Sequence, residues 1–180
     1  MRKSSQFRSS LAGFFNNQTL QWLVCLGFVF VASLLQMAPN ALVIAGAKPM
    51  LLILCVACIA LFTGPLCGGV MGAVSGFLWD IFTDRLMGST ALLLLFFGTV
   101  IGILSWLVLR NNFITGMLVC AAAILLFVVA DWAIYYVLFE KDNPWLMLTS
   151  VYGPNALYSL LVSPVIYAIF YFCIRKIRED

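Results

Sequence analysis

Two carboxylic acids lie inside apolar stretches of this sequence, and they are the residues best placed to do chemistry. They are Asp80 and Asp131, and no basic residue in the interior of these stretches is available to pair with either. Burying such an acid in a bilayer costs at least about 2.5 to 3.5 kcal/mol on insertion scales, so an intramembrane acid is a functional candidate by default. We expect both acids in the outer half of the membrane, where one outward cavity can hold them both.

Three interpretations of this pair are open. In the first, each carboxyl is protonated or capped by backbone and side-chain donors, such as Tyr135 one turn beyond Asp131. In the second, the acids bind a ligand or couple to proton movement, and in the third they form a catalytic aspartyl dyad. The sequence disfavours catalysis, because no GxGD-type motif precedes either acid and no histidine is present.

A stripe of glycines leads to the first acid. Its members recur every four residues, and they are Gly64, Gly68, Gly72 and Gly76, followed by Asp80. Four residues are slightly more than one helical turn, so these positions share one slowly winding face. Small residues let helices in lipid approach closely, and Gly98 and Gly102 give the next helix a matching face. We predict that the third and fourth helices pack along this stripe, and a partner's helix is the alternative occupant.

All six cysteines lie within apolar stretches, where a cysteine behaves as a small buried hydrophobe. Cys55 and Cys58 have the spacing of a redox motif, but they lie in mid-helix without the strand and helix that flank such motifs. We therefore assign them to packing. The sequence predicts no disulfide framework, no metal site and no cofactor.

Composition identifies the elements that must position these residues. Of 180 residues, 64% are hydrophobic and 9% are charged, which fits neither an ordinary soluble domain nor a disordered chain. A helix needs about 20 apolar residues to cross the hydrocarbon core. The pattern predicts an all-α integral membrane protein, a compact bundle of about six transmembrane helices at 19–38, 49–62, 65–82, 89–109, 113–139 and 146–174. The second is short, because Pro49 begins it and Lys48 reaches the outer interface, and Pro164 predicts a kink in the last.

The distribution of charge predicts the orientation of the bundle. Seven of the ten lysines and arginines lie in the two tails or next to the connection between the fourth and fifth helices. Because cytoplasmic segments are enriched in these residues, both termini are predicted to be cytoplasmic. The chain then divides into a cytoplasmic segment at 1–18, a transmembrane domain at 19–174 and a basic cytoplasmic tail at 175–180.

The order of these features resembles the central signature of the rod shape-determining protein MreD family. In that pattern a basic residue and a proline open a short apolar helix, a glycine-rich helix ending in Asp follows, and a short loop with Gly precedes Ala-Leu and another helix. These places are held by Lys48, Pro49, Gly68, Gly72, Gly76, Asp80, Gly88, Ala91 and Leu92. Asp131, Asn155 near the start of the last helix and the basic exit IRKIR fit the later part of the pattern.

The resemblance implies a non-enzymatic component of the bacterial cell-elongation machinery in the cytoplasmic membrane. Such a protein would bind the bitopic scaffold protein MreC and act with the actin-like filament MreB, the glycan polymerase RodA and a class B penicillin-binding protein. It would support peptidoglycan synthesis along the side wall, so that cells stay rod-shaped. Trp145 and Phe139 are predicted anchors at the rim of a partner contact.

Two other functions remain as alternatives. The family looks similar in architecture to the substrate-binding subunits of energy-coupling-factor vitamin transporters, which suggests a binding subunit whose outer cavity contains Asp80 and Asp131. The first helix lacks the AxxxA face that such subunits often use for docking. A lower-ranked alternative is an intramembrane aspartyl peptidase similar to lipoprotein signal peptidases, although the asparagine-rich motifs around their acids are absent. Fold analogy alone does not decide function.

Overall fold

The computed structural model describes residues 2–38, 43, 47–83, 87–107, 113–134 and 148–179, with the backbone alone at 2–18, 107, 113–115 and 174–179. Most of these residues are helical, and the predicted all-α architecture is confirmed. The elements are α1 (Arg2–Met37), α2 (Leu51–Thr63), α3 (Pro65–Phe82), α4 (Ser89–Leu107), α5 (Phe113–Trp132), a π-helical turn (Leu148–Tyr152) and α6 (Gly153–Glu179).

Four stretches within the described helices are long and apolar enough to cross a membrane: Thr19–Met37, Pro65–Phe82, Ser89–Trp106 and Leu148–Cys173. Two further apolar stretches are shorter, Leu51–Thr63 and Gly116–Trp132. The fifth helix was predicted to extend to residue 139, and residues 135–147, which include both predicted rim anchors, lie outside the described part of the chain. These features support a helical bundle in a membrane.

The two ends of the predicted transmembrane domain fall inside continuous helices. α1 runs through the predicted boundary at residue 18 without a break, and α6 continues past residue 174 to Glu179. Pro164 lies inside α6, and helical structure is present on both sides of it. The division of the chain into tails and transmembrane domain therefore remains a prediction from charge and hydropathy.

The short helix α2 is the centre of the bundle. Every residue from Leu51 to Ala60 is buried, and α1, α3, α4, α5 and α6 all pack on it. A helix that is apolar on all sides belongs in an interior. With 13 residues, α2 is about 20 Å long at 1.5 Å per residue, less than the hydrocarbon thickness of about 30 Å. The prediction of a short second helix is correct, and the helix begins two residues after Pro49.

The turn between α2 and α3 depends on Gly64. Its φ is +95°, in the region that favours glycine, and its N–H donates to the carbonyl of Ala60 at 3.1 Å. Pro65 then occupies the first turn of α3, where no N–H donor is needed. Gly64 therefore lies before α3 rather than in it, so the prediction that it begins the helical stripe is wrong, because a positive φ ends one helix before the next starts.

One end of the bundle holds both intramembrane acids and the side chains that cap α2. α1 finishes there, α2 and α6 start there, and the three are joined by hydrogen bonds, including one from the N–H of Leu51 to Gln36 Oε1 at 2.8 Å. α3 and α5 also finish at this end, with Asp80 and Asp131 near their last turns. We call it the distal end.

Candidate functional site

Asp80 caps the helix that follows it. One carboxylate oxygen, Oδ2, accepts hydrogen bonds from the backbone N–H groups of Gly88 at 2.9 Å, Thr90 at 3.1 Å and Ala91 at 3.3 Å. The first N–H groups of a helix have no partner within that helix, and the helix dipole favours negative charge there. The carboxylate meets both requirements, and it is 3% exposed. Capping by backbone donors is one of the interpretations open from the sequence.

The four-residue spacing explains why the acid reaches that position. Gly76 lies one turn before Asp80 on the face of α3 that packs on α4, and a Cβ added to Gly76 would lie 2.5 Å from the Cα of Ala91. The acid continues this face past the end of the close contact and meets the start of α4. Gly88, with a φ of +92°, turns the chain immediately before α4.

The remaining glycines of the stripe bring the backbones of α3 and α4 together. A Cβ on Gly72 would collide with the carbonyl of Leu94, and one on Gly98 would collide with the carbonyl of Gly68. One on Gly102 would lie 2.5 Å from the nitrogen of Pro65. The close contact expected between these two helices is present, in antiparallel register, and no partner's helix has room between them along these glycines.

Asp131 connects α5 to the π-helical turn. The hydroxyl of Tyr152 donates to its Oδ2 at 2.8 Å, and both side chains are buried. Tyr135, the donor suggested by the sequence, lies outside the described residues. Tyr152 was missed because it follows Asp131 by 21 residues, so helical spacing does not connect the two.

The two acids have separate structural roles at the distal end. Asp80 holds α4, whereas Asp131 holds the turn before α6. A catalytic aspartyl dyad places two carboxylates close enough to share a proton, about 3 Å apart. A cavity of about 320 Å³ opens at this end, and its lining includes Gln36, Lys48 and Trp79 but neither acid. The arrangement is therefore one of hydrogen-bond acceptors that join helices.

Asn155 contributes to a third set of contacts, which caps the buried helix α2. Its Oδ1 accepts the N–H of Lys48 at 2.8 Å, and Ser159 Oγ accepts the N–H of Met50 at 2.8 Å. With Gln36 on the N–H of Leu51, three side chains from α1 and α6 satisfy the backbone before and at the start of α2. Asn155 was a candidate from the sequence, whereas Gln36 and Ser159 were not, because a cap supplied by a distant helix leaves no local pattern.

The cysteines lie where the packing interpretation expects them. Cys55 and Cys58 are buried in α2, and the sulfur of Cys58 is 4.0 Å from that of Cys120 on α5. All six thiols are free. Within the described residues no group of three or more His, Cys, Asp or Glu side chains is arranged to hold a metal ion.

Comparison with known proteins assigns the chain to a family. No curated protein and no solved structure matches it, so the expected likeness to energy-coupling-factor subunits stays a prediction. The family of rod shape-determining protein MreD matches residues 16–177, nearly the whole chain. This match includes α2 to α5 in full and most of α1 and α6, and with them the glycine contact, the Asp80 cap and the Asp131 contact. The chain belongs to the MreD family of rod shape-determining proteins.

Proposed function

We propose that this protein is a non-enzymatic scaffold of the bacterial cell-elongation complex, binding MreC and supporting lateral peptidoglycan synthesis. The observation that carries the proposal is the family match over residues 16–177, because membership of a rod shape-determining family implies a role in cell shape. MreB, RodA and a class B penicillin-binding protein are the further proposed members of the complex. The proposed location is the cytoplasmic membrane, with both termini cytoplasmic, as the basic tails favour.

A non-enzymatic role is supported by what the intramembrane acids do. A hydrolytic acid must reach a water molecule and a substrate. One oxygen of Asp80 instead accepts hydrogen bonds from three backbone donors, and Asp131 accepts one from a buried tyrosine. Both residues are almost fully buried, Asp80 at 3% and Asp131 at 1% exposure. Such groups fix helices relative to one another, which is what a scaffold requires.

A cleft between α1 and α6 is our candidate contact for the single transmembrane helix of MreC. The two helices contact each other less than either contacts α2, and they leave an opening of about 170 Å³. Val31 and Leu35 line one side, Ile166 and Ile169 line the other, and Leu51 of α2 contributes to the lining. Among the described residues the lining carries no charged side chain, so an apolar helix satisfies it in the membrane.

Affinity purification tests the proposed partners. The tagged full chain is extracted from membranes in mild detergent, and the bound proteins are identified by mass spectrometry. We expect MreC, RodA and a class B penicillin-binding protein. Recovery of paired ATPases with a membrane coupling subunit would instead support the vitamin-uptake alternative and reject the scaffold.

Cross-linking tests the cleft separately from the partner list. A photoreactive residue replaces Ile169 in the cleft, and Leu118 on α5, which is exposed and outside the cleft lining, is the matched control position. We expect a cross-link to MreC from position 169 and none from position 118. Cross-linking to MreC from position 118 alone would reject the cleft while leaving the partner in place.

A further inference from the structure

The cavity of about 320 Å³ at the distal end is separate from the helix-joining contacts of the two acids. It lies between the last turn of α1, the segment before α2 and the end of α3. Gln36, Met37, Lys48, Trp79, Phe82 and Thr83 line it. Its volume is at the lower end of the range of small-molecule sites, about 300 to 1,000 Å³.

The polar groups of the cavity are mainly hydrogen-bond donors. Lys48 is the one charged residue among the described lining, and its ammonium has three N–H donors, one of which goes to the carbonyl of Ala38 at 3.0 Å. No carboxylate belongs to this described lining. Two donors of the ammonium are therefore left for another acceptor.

Gln36 adds donors on the same wall, and its orientation is fixed by chemistry. A backbone N–H only donates, so the atom that receives the N–H of Leu51 at 2.8 Å must be the amide oxygen, Oε1. The NH₂ end of the same amide then carries the two donors left over. Trp79 supplies a third kind of donor, an indole N–H that is buried and has no partner in the described structure. A site with a cation and surplus donors suits an anion with several acceptor oxygens.

The apolar part of the cavity favours a lipid as the carrier of that anion. Met37 and Phe82 belong to its wall, and Phe82 is 65% exposed on the outer surface of α3. Leu34 on α1 is 56% exposed. In a membrane, the exposed side chains of Phe82 and Leu34 would meet acyl chains. Lys48 lies before the first turn of α2, at the level where long basic side chains reach lipid headgroups. We propose that this cavity binds the phosphate of an anionic phospholipid, held by Lys48 and the amide NH₂ of Gln36.

The test measures lipid binding by the full chain. The purified protein is reconstituted into phosphatidylcholine vesicles with and without phosphatidylglycerol, extracted gently, and examined by native mass spectrometry for retained lipid. We expect selective retention of phosphatidylglycerol. Lys48→Gln should weaken that retention about tenfold, and Lys176→Gln, which removes one positive charge from the tail, is the matched control and should not change it.

A second variant keeps the cap of α2 while reversing the chemistry of the cavity. Gln36→Glu retains an oxygen for the N–H of Leu51 but replaces the NH₂ donors with a carboxylate oxygen. We expect this variant to fold, with an unchanged thermal midpoint in detergent, and to lose selective retention of phosphatidylglycerol. Equal retention of both lipids by the wild type, or selective retention that survives both substitutions, would overturn the proposal.

Inorganic phosphate distinguishes the source of the anion. We expect phosphatidylglycerol to raise the thermal midpoint of the wild-type protein in detergent and phosphate at the same concentration to leave it unchanged. Stabilisation by inorganic phosphate that Lys48→Gln abolishes, without any by the lipid, would overturn a lipid as the ligand in favour of a soluble phosphate. Neither outcome depends on whether MreC is the protein partner.

Discussion

The Oδ2 atom of Asp80 lies 2.9 Å from the backbone nitrogen of Gly88, and this contact fastens the end of α3 to the start of α4. The same oxygen receives the N–H groups of Thr90 and Ala91, so one buried carboxylate satisfies three backbone donors at a helix start. Its place one turn after Gly76 connects the glycine contact to the cap. The α3–α4 pair is therefore held along its length by close backbones and at its distal end by the hydrogen bonds of Asp80.

Removal of the Asp80 carboxylate should destabilise the protein. Asp80→Ala leaves three N–H donors at the start of α4 without their acceptor, and a buried donor that loses its partner costs about 1 to 3 kcal/mol. We expect a loss in the free energy of unfolding of at least about 1.5 kcal/mol, measured by denaturant titration in detergent. Asp80→Asn keeps one oxygen acceptor and should lose less. Equal stability of Asp80→Ala and the wild type would contradict the cap.

Substitution of Gly72 should separate α3 from α4. The added atoms of Gly72→Leu would collide with the backbone of Leu94, which cannot move aside as a flexible side chain can. Overpacking of a tight contact costs about 1 to 3 kcal/mol or prevents folding. Gly27→Leu is the matched control, because a Cβ on Gly27 meets nothing within 4 Å. Thermal midpoints and yields of the two variants should differ clearly, and similar values would show that the glycines do not determine the packing.

The hydroxyl of Tyr152 should contribute to stability through Asp131. Tyr152→Phe removes the 2.8 Å hydrogen bond while keeping the ring, and loss of one partner of a buried polar group costs about 1 to 3 kcal/mol. In a double-mutant cycle with Asp131→Asn, we expect the two effects to be non-additive, because both substitutions alter the same bond. Strict additivity would indicate that the contact carries no interaction energy.

The caps on α2 should contribute more to stability than an exposed hydroxyl that bonds only within its own helix. Ser159→Ala removes the acceptor for the N–H of Met50, and loss of a helix cap costs about 0.5 to 2 kcal/mol. Thr99→Val is the comparison, because the Thr99 hydroxyl bonds only to carbonyls of its own helix. The stability of each variant in detergent checks the expectation. A larger loss from Thr99→Val than from Ser159→Ala would contradict it.

The sequence predicts the parts of this structure that depend on local spacing. The four-residue period of Gly68, Gly72 and Gly76 predicts the α3–α4 contact, and Lys48 before Pro49 predicts a short second helix. The sequence does not predict that this helix lies at the centre of the bundle, because an apolar run has the same composition whether lipid or protein surrounds it. The exception at Gly64 arose because the four-residue period continues through a residue whose positive φ ends the helix.

The partners of the polar side chains are the part that spacing cannot supply. Asn155 and Ser159 reach backbone groups 107 and 109 residues earlier in the chain, and Asp131 meets Tyr152 across a connection between helices. Such pairs are fixed only when the helices assemble. The residue types nevertheless predict that such contacts exist, because polar groups inside a membrane must find hydrogen-bond partners.

Cell shape tests the central claim, that this protein acts by assembly and not by catalysis. The chromosomal copy is depleted from its bacterium, and either the wild type or Asp131→Asn is expressed at equal abundance in the membrane, as measured by immunoblot of the membrane fraction. Cell width and length are then recorded by microscopy. The account predicts that depleted cells lose their rod shape and that both versions restore it. Restoration by the wild type, with rounded cells for an equally abundant Asp131→Asn that still recovers MreC, would contradict the scaffold and point to chemistry at Asp131.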